Sequence, residues 1–126
     1  MTKKALEIIK DAMAELQLNY KFMEWKGEPK YPYFTGEYQE TEPTTEDGLQ
    51  EATFILNGFS RTTWEALEDA KESIQNYFNK VSGKTVIADD GSAVAVFYLN
   101  SMVVPTGDAE LKRIQINLEI KEWSVN

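Results

Sequence analysis

Apolar residues follow two rhythms along this chain. Near its start, Leu6, Ile9, Met13 and Leu16 recur at spacings of three and four, and Ala5, Ile8 and Ala12 widen the stripe. That period belongs to a helix with one apolar face. It predicts a helix over 3–17 with Thr2 as its N-cap. The rhythm returns in TTWEALEDAKESIQNYF, where Trp64, Leu67, Lys71, Ile74 and Phe78 trace a stripe broken only by the lysine, with Ala70 and Tyr77 beside it. Thr62 and Glu65 fit a T-x-x-E capping box, and Lys80 and Gly83 supply end signals.

Elsewhere the period is two. In NYKFMEWKG, Tyr20, Phe22 and Glu24 point one way and Lys21, Met23 and Trp25 the other, which predicts a strand. GEPKYP breaks it, with Pro29 and Pro32 fixing an extended link. YFTGEYQE resumes as a strand, with Gly36 as a bulge or a point of close approach. In QEATFILNGF, Ala52, Phe54 and Leu56 share one face and Thr53, Ile55 and Asn57 the other. KTVIA and AVAVFYLNSMVV flank a DDGS hairpin turn, and Pro105 to Asp108 turn the chain again. In ELKRIQINLEIKEW, Ile114, Ile116, Leu118 and Ile120 point inward, while Arg113, Gln115, Asn117, Glu119 and Lys121 face water and Trp123 continues their row. The order is α-β-β-β-α-β-β-β, without repeat or linker. It predicts one α+β domain, residues 1–126, whose largely antiparallel sheet is covered on one face by two helices.

Composition narrows the chemistry. The chain has 126 residues, 42% hydrophobic and 12% aromatic, as a single globular domain with its own core requires. It has neither cysteine nor histidine. Disulfides, thiol chemistry and any Ser-His-Asp or Cys-His mechanism within one chain are thereby excluded. The net charge of −8 opposes binding to nucleic-acid phosphates and to anionic membranes. Glu7, Lys10, Asp11 and Glu15 interrupt any signal-peptide core in the first helix. No apolar run approaches the roughly 20 residues of a membrane span. A soluble, cytoplasmic protein is the expectation.

Three short stretches invite a chemical reading. Glu40, Glu42, Glu46, Asp47 and Glu51 are five acids with no base between them. A hard cation would accept such oxygens, but the EF-hand spacing is absent. Pro43 and the paired threonines favour a long, solvated hairpin loop whose use is contact, with Asp47-Gly48 at its turn. GKT at 83–85 lacks the first glycine of a phosphate loop, since Phe78 stands there, and a helix precedes it where a strand is needed. Asp89 and Asp90 sit together in ADDGS, but adjacent carboxylates on a tight turn diverge into water. No metal or cofactor is expected. Rings are abundant: Trp25, Tyr31, Tyr33, Phe34, Tyr38 and Trp123. They read either as cover for the sheet or, on its helix-free side, as a protein interface. The candidate interface residues are Trp25, Tyr31, Tyr33, Glu42, Glu46, Asp47 and Trp123.

The succession of an N-terminal helix, PYFTGEYQE, an acidic EDG turn, ATFILNGFSR, a helix opening TTWEALEDAKESI and a strand-rich last third resembles the tail terminator, or tail completion, proteins of long-tailed phages and prophages. The segment from PYF to GFSR carries the best match. The resemblance covers nearly the whole chain and brings no active-site residues. It implies a non-enzymatic virion assembly protein: a homo-oligomeric ring, a hexamer when assembled, that caps the tail tube, stops its polymerisation and offers a surface to the head–tail connector. Its partners would be copies of itself, the major tail tube protein and the connector. Its places would be the host bacterial cytoplasm during assembly and the virion tail. The rival readings are another small head–tail connector or minor structural protein, and a small-ligand binder or carboxylate-based enzyme.

Overall fold

A computed structural model describes residues 1–40 and 48–124. The two helical rhythms become α1 (Lys3–Glu15) and α2 (Trp64–Tyr77). The alternating stretches become β1 (Asn19–Phe22), β2 (Tyr33–Glu40), β3 (Leu49–Ser60), β4 (Lys84–Ile87), β5 (Ala93–Val104) and β6 (Lys112–Trp123). All six strands form one sheet in the order β1-β2-β3-β6-β5-β4. Each half of the chain thus contributes one helix and three strands. The halves meet at the centre, where β3 and β6 run antiparallel from Leu49↔Trp123 to Ser60↔Lys112.

Alternation sets what each strand buries. Phe34 of β2, Ala52, Phe54 and Leu56 of β3, Ile114, Ile116, Leu118 and Ile120 of β6, and Val94, Val96 and Tyr98 of β5 share one face. Ala5, Ile9, Ala12 and Met13 of α1 and Leu67, Ala70 and Ile74 of α2 close over that face in a single cluster. The α+β class, the element order and the one-sided helical cover are as the periodicity predicts. Residues of the opposite row, such as Arg113, Gln115, Asn117, Glu119 and Lys121, are half-buried rather than fully in water. Neighbouring strands flank β6 on both sides, so their side chains wall it in.

Gly36 answers the choice between bulge and close approach. Register is unbroken from Tyr33↔Phe59 to Glu40↔Ala52, so no bulge forms there. A Cβ on Gly36 would lie 2.5 Å from the Phe54 ring, and one on Gly58 would lie 2.4 Å from the Phe34 ring. Each glycine therefore lets a phenylalanine of the neighbouring strand lie flat against the sheet.

Several details differ from the periodic reading. β1 runs parallel to β2, so residues 23–32 are a crossover and not a turn; apolar alternation carries no information about strand direction. The strand ends at Phe22, because Met23 takes φ 70, and Trp25 consequently lies off it. The link through Pro29 and Pro32 includes a cis Tyr31–Pro32 bond. The N-cap of α2 is Thr63, whose hydroxyl accepts the Ala66 N–H at 3.2 Å, while Thr62 bonds Ser60. The capping box of Thr62 and Glu65 is therefore displaced by one residue. Gly83 stands beyond the end of α2, with φ 62 and the Phe97 ring against it. Thr2 does cap α1, accepting the Ala5 N–H at 3.2 Å. α1 stops at Glu15, and Gln17, at φ 59, forms its left-handed end. Gln17 and Leu18 donate to the Ala14 and Met13 carbonyls at 3.0 and 2.9 Å, the paired closing bonds usually built around glycine.

Candidate functional site

The helices leave one face of the sheet bare, and its features concentrate at the end where β2 starts and β6 begins. Tyr33, Phe59 and Arg113 lie side by side across β2, β3 and β6, because the register pairs Tyr33 with Phe59 and Phe59 with Arg113. The crossover after β1 brings Trp25 and Tyr31 onto this row. Trp25 and Tyr31 meet Tyr33 with ring centroids 5.2 and 5.4 Å apart, and Tyr33 stacks on Phe59 at 5.1 Å. Contacts of this kind contribute about 0.5–1.5 kcal/mol each beyond burial. All four rings remain half-buried.

Both arginines of the chain border this cluster. The Arg61 guanidinium lies 5.9 Å from the Tyr31 ring centre, bonds the Tyr31 hydroxyl and pairs with Asp108 at 3.3 Å. The Arg113 guanidinium lies 5.7 Å from the Phe59 ring centre. Its Nη2 donates to Asn57 Oδ1 at 2.8 Å, and Asn57 in turn donates to Glu37 at 3.2 Å. Its Nε is buried without a hydrogen-bond partner among the described residues. Burial pushes the Tyr33 phenol up from its ordinary value; Tyr31 adds to the shift and Arg61 opposes it. The Glu110 N–H, and after it Arg61, hold the Asp108 carboxyl below the usual carboxylate range. Aromatic rings and arginines are the residue types enriched at interface hot spots.

The candidate residues are distributed unevenly. Trp25, Tyr31 and Tyr33 come together. Trp123 shares their face but lies ten residues along β6 from Arg113, about 33 Å away, between Leu49 and Ala93. Glu42, Glu46 and Asp47 lie outside the described residues. Phe59, Arg61 and Arg113 are additions to the sequence reading. A cue existed, since the only two arginines in the chain flank strand-like runs, Arg61 after ATFILNGFS and Arg113 before IQINLEI, but their meeting depends on register. The other stretches are structural. Lys84 and Thr85 open β4 after α2, and Asp90 closes the β4–β5 turn by accepting the Ser92 N–H at 2.8 Å. Among the described residues, no group of three or more carboxylates is placed to hold a metal ion, and no helix is long and apolar enough to cross a membrane.

No family model matches the chain, and no curated protein matches it. Among solved structures, it is similar to a chain of the virion of a native gene transfer agent particle, with a TM-score of 0.66 and 10% identity over 90% of this chain and 84% of that one. At that identity the likeness is one of fold.

Proposed function

We propose that this protein is a structural component of a phage-type virion, and within it a tail terminator. It forms a ring on the end of the tail tube, halts tube polymerisation and offers the outer surface of the ring to the head connector. In this reading the chain is not an enzyme and uses no cofactor. The observation that carries the reading is the fold held in common, across 90% of the chain, with a chain of a gene transfer agent virion. The resemblance of PYFTGEYQE through ATFILNGFSR to tail terminators points the same way. The bare face adds a physical reason. A closed ring needs two different patches on each subunit. The corner of Trp25, Tyr31 and Tyr33 is one, and the far end with Trp123 is the other.

The decisive experiment adds the purified protein to polymerising tail tube subunits and measures tube length. Tubes should stop growing at substoichiometric amounts of protein. Growth indistinguishable from that of subunits alone overturns the terminator role, and joining of heads without any effect on tube length would mark a connector instead. Replacing Tyr33 with alanine should weaken ring formation by about tenfold or more, as loss of a ring at an interface hot spot does; sedimentation velocity measures it.

A further inference from the structure

One side of α1 flanks its core stripe and carries Lys3, Leu6 and Lys10 at spacings of three and four. With Tyr20, Lys21 and Phe22 of β1 these residues line an open groove of about 460 Å³, which Glu7 also borders. The floor is apolar. Leu6 and Tyr20 pack against the core, and Phe22 is 40% exposed while stacking on Tyr38 and Phe54 at 6.2 and 6.4 Å. The rim is cationic. Lys3, Lys10 and Lys21 are all exposed, and none pairs with a carboxylate among the described residues. Lys3 and Lys10 rise from the helix side, and Lys21, which alternates to the opposite face from Tyr20 and Phe22, borders the groove from the other, in a chain whose net charge is −8.

The groove also has a backbone template. β1 is the outermost strand on its side of the sheet and pairs with β2 alone. Half of its amide and carbonyl groups therefore point away from the sheet, along an edge whose residues also line the groove. No proline occupies β1, and its one charge, Lys21, belongs to the groove itself.

We propose that this groove docks an extended, acidic polypeptide segment of another protein, added as a strand beside β1. Its backbone pairs with the open edge, one apolar side chain rests on Leu6 and Phe22, and carboxylates from its two faces meet Lys3 and Lys10 on one side and Lys21 on the other. Strand addition takes affinity from the backbone ladder and selectivity from the side-chain pockets. Seven helical residues separate Lys3 from Lys10, about 10 Å of rise. An extended chain covers that distance in three to four residues, so one short acidic segment reaches both lysines. A nucleic acid offers the lysines charge but offers the β1 edge no ladder, and the field of the whole chain repels it. The site lies apart from the aromatic corner and does not depend on the virion reading.

The test uses the full chain and a labelled, capped octapeptide of glutamate with a single central leucine, which carries carboxylates on both faces of the strand, followed by fluorescence anisotropy. The peptide should bind with an affinity that falls as salt rises. The triple variant Lys3→Glu/Lys10→Glu/Lys21→Glu should bind it about tenfold or more weakly, whereas Lys26→Glu/Lys80→Glu/Lys84→Glu, with the same change in net charge, should bind it nearly as the parent does. Amide exchange within Asn19–Phe22 should slow when the peptide is bound. Equal loss in the two triple variants, tighter binding of an octathymidylate at the same lysines, or a changed sedimentation coefficient of the peptide-free groove variant, which would make a second copy the occupant, each overturns the proposal. Matching far-ultraviolet spectra guard against misfolding, and Phe22→Ser, which keeps every lysine, should also weaken the peptide.

Discussion

At Gly58 an added methyl group would stand 2.4 Å from the Phe34 ring, which is fully buried in the core cluster and has little room to move. Gly58→Ala should therefore cost about 1–3 kcal/mol, the usual penalty for overpacking a core, read from urea unfolding. Tyr20 makes a different prediction. Burial raises its phenol well above the ordinary value. The unfolded chain gives up that proton near pH 10, whereas the folded chain keeps it. The stability this contributes is complete below about pH 10 and drains away as pH climbs toward the folded value. Tyr20→Phe should flatten the alkaline side of the stability–pH curve. Glu122 extends the inner row of β6 beyond Ile120, is 7% exposed, and accepts the Thr2 N–H at 3.2 Å as well as its hydroxyl. A carboxylate at the end of an apolar row was the one visible cue; its partner, 120 residues away, was not.

Among the elements, the helix start at Thr63 offers a sharp check. Thr63→Ala should lower stability by about 1 kcal/mol and speed exchange of the Ala66 amide, while Thr62→Ala should leave that amide protected. The sequence favoured Thr62 because Glu65 completes a box with it, but the Ser60–Thr62 hydroxyl contact claims that side chain instead. Element existence was legible throughout, since periods of 3.6 and 2 survive in one-dimensional order. Direction and register were not. The parallel pairing of β1 and the early end of its strand at Phe22 arise from contacts between segments. The same blindness hid half of the aromatic corner. Trp25, Tyr31 and Tyr33 could be picked as exposed rings, but Phe59 and Arg113 join them only once β2, β3 and β6 are set in register.

On the scale of the whole molecule, charge and topology govern behaviour. With a net charge of −8, the protein should not retard duplex DNA on a gel even at low ionic strength, where phosphate contacts are strongest; a shifted band would contradict the expectation that the acid excess opposes phosphate binding. The topology has a consequence for biogenesis. β6 is last in sequence yet fills the slot between β3 and β5. While a ribosome is still making residues 112–123, the nascent polypeptide holds two separate pieces, one helix with three strands and one helix with two, each with an unsatisfied border facing a gap. Release before that point should yield a sticky fragment that chaperones capture, so an early stop codon upstream of Lys112 is expected to give insoluble product rather than a smaller folded protein.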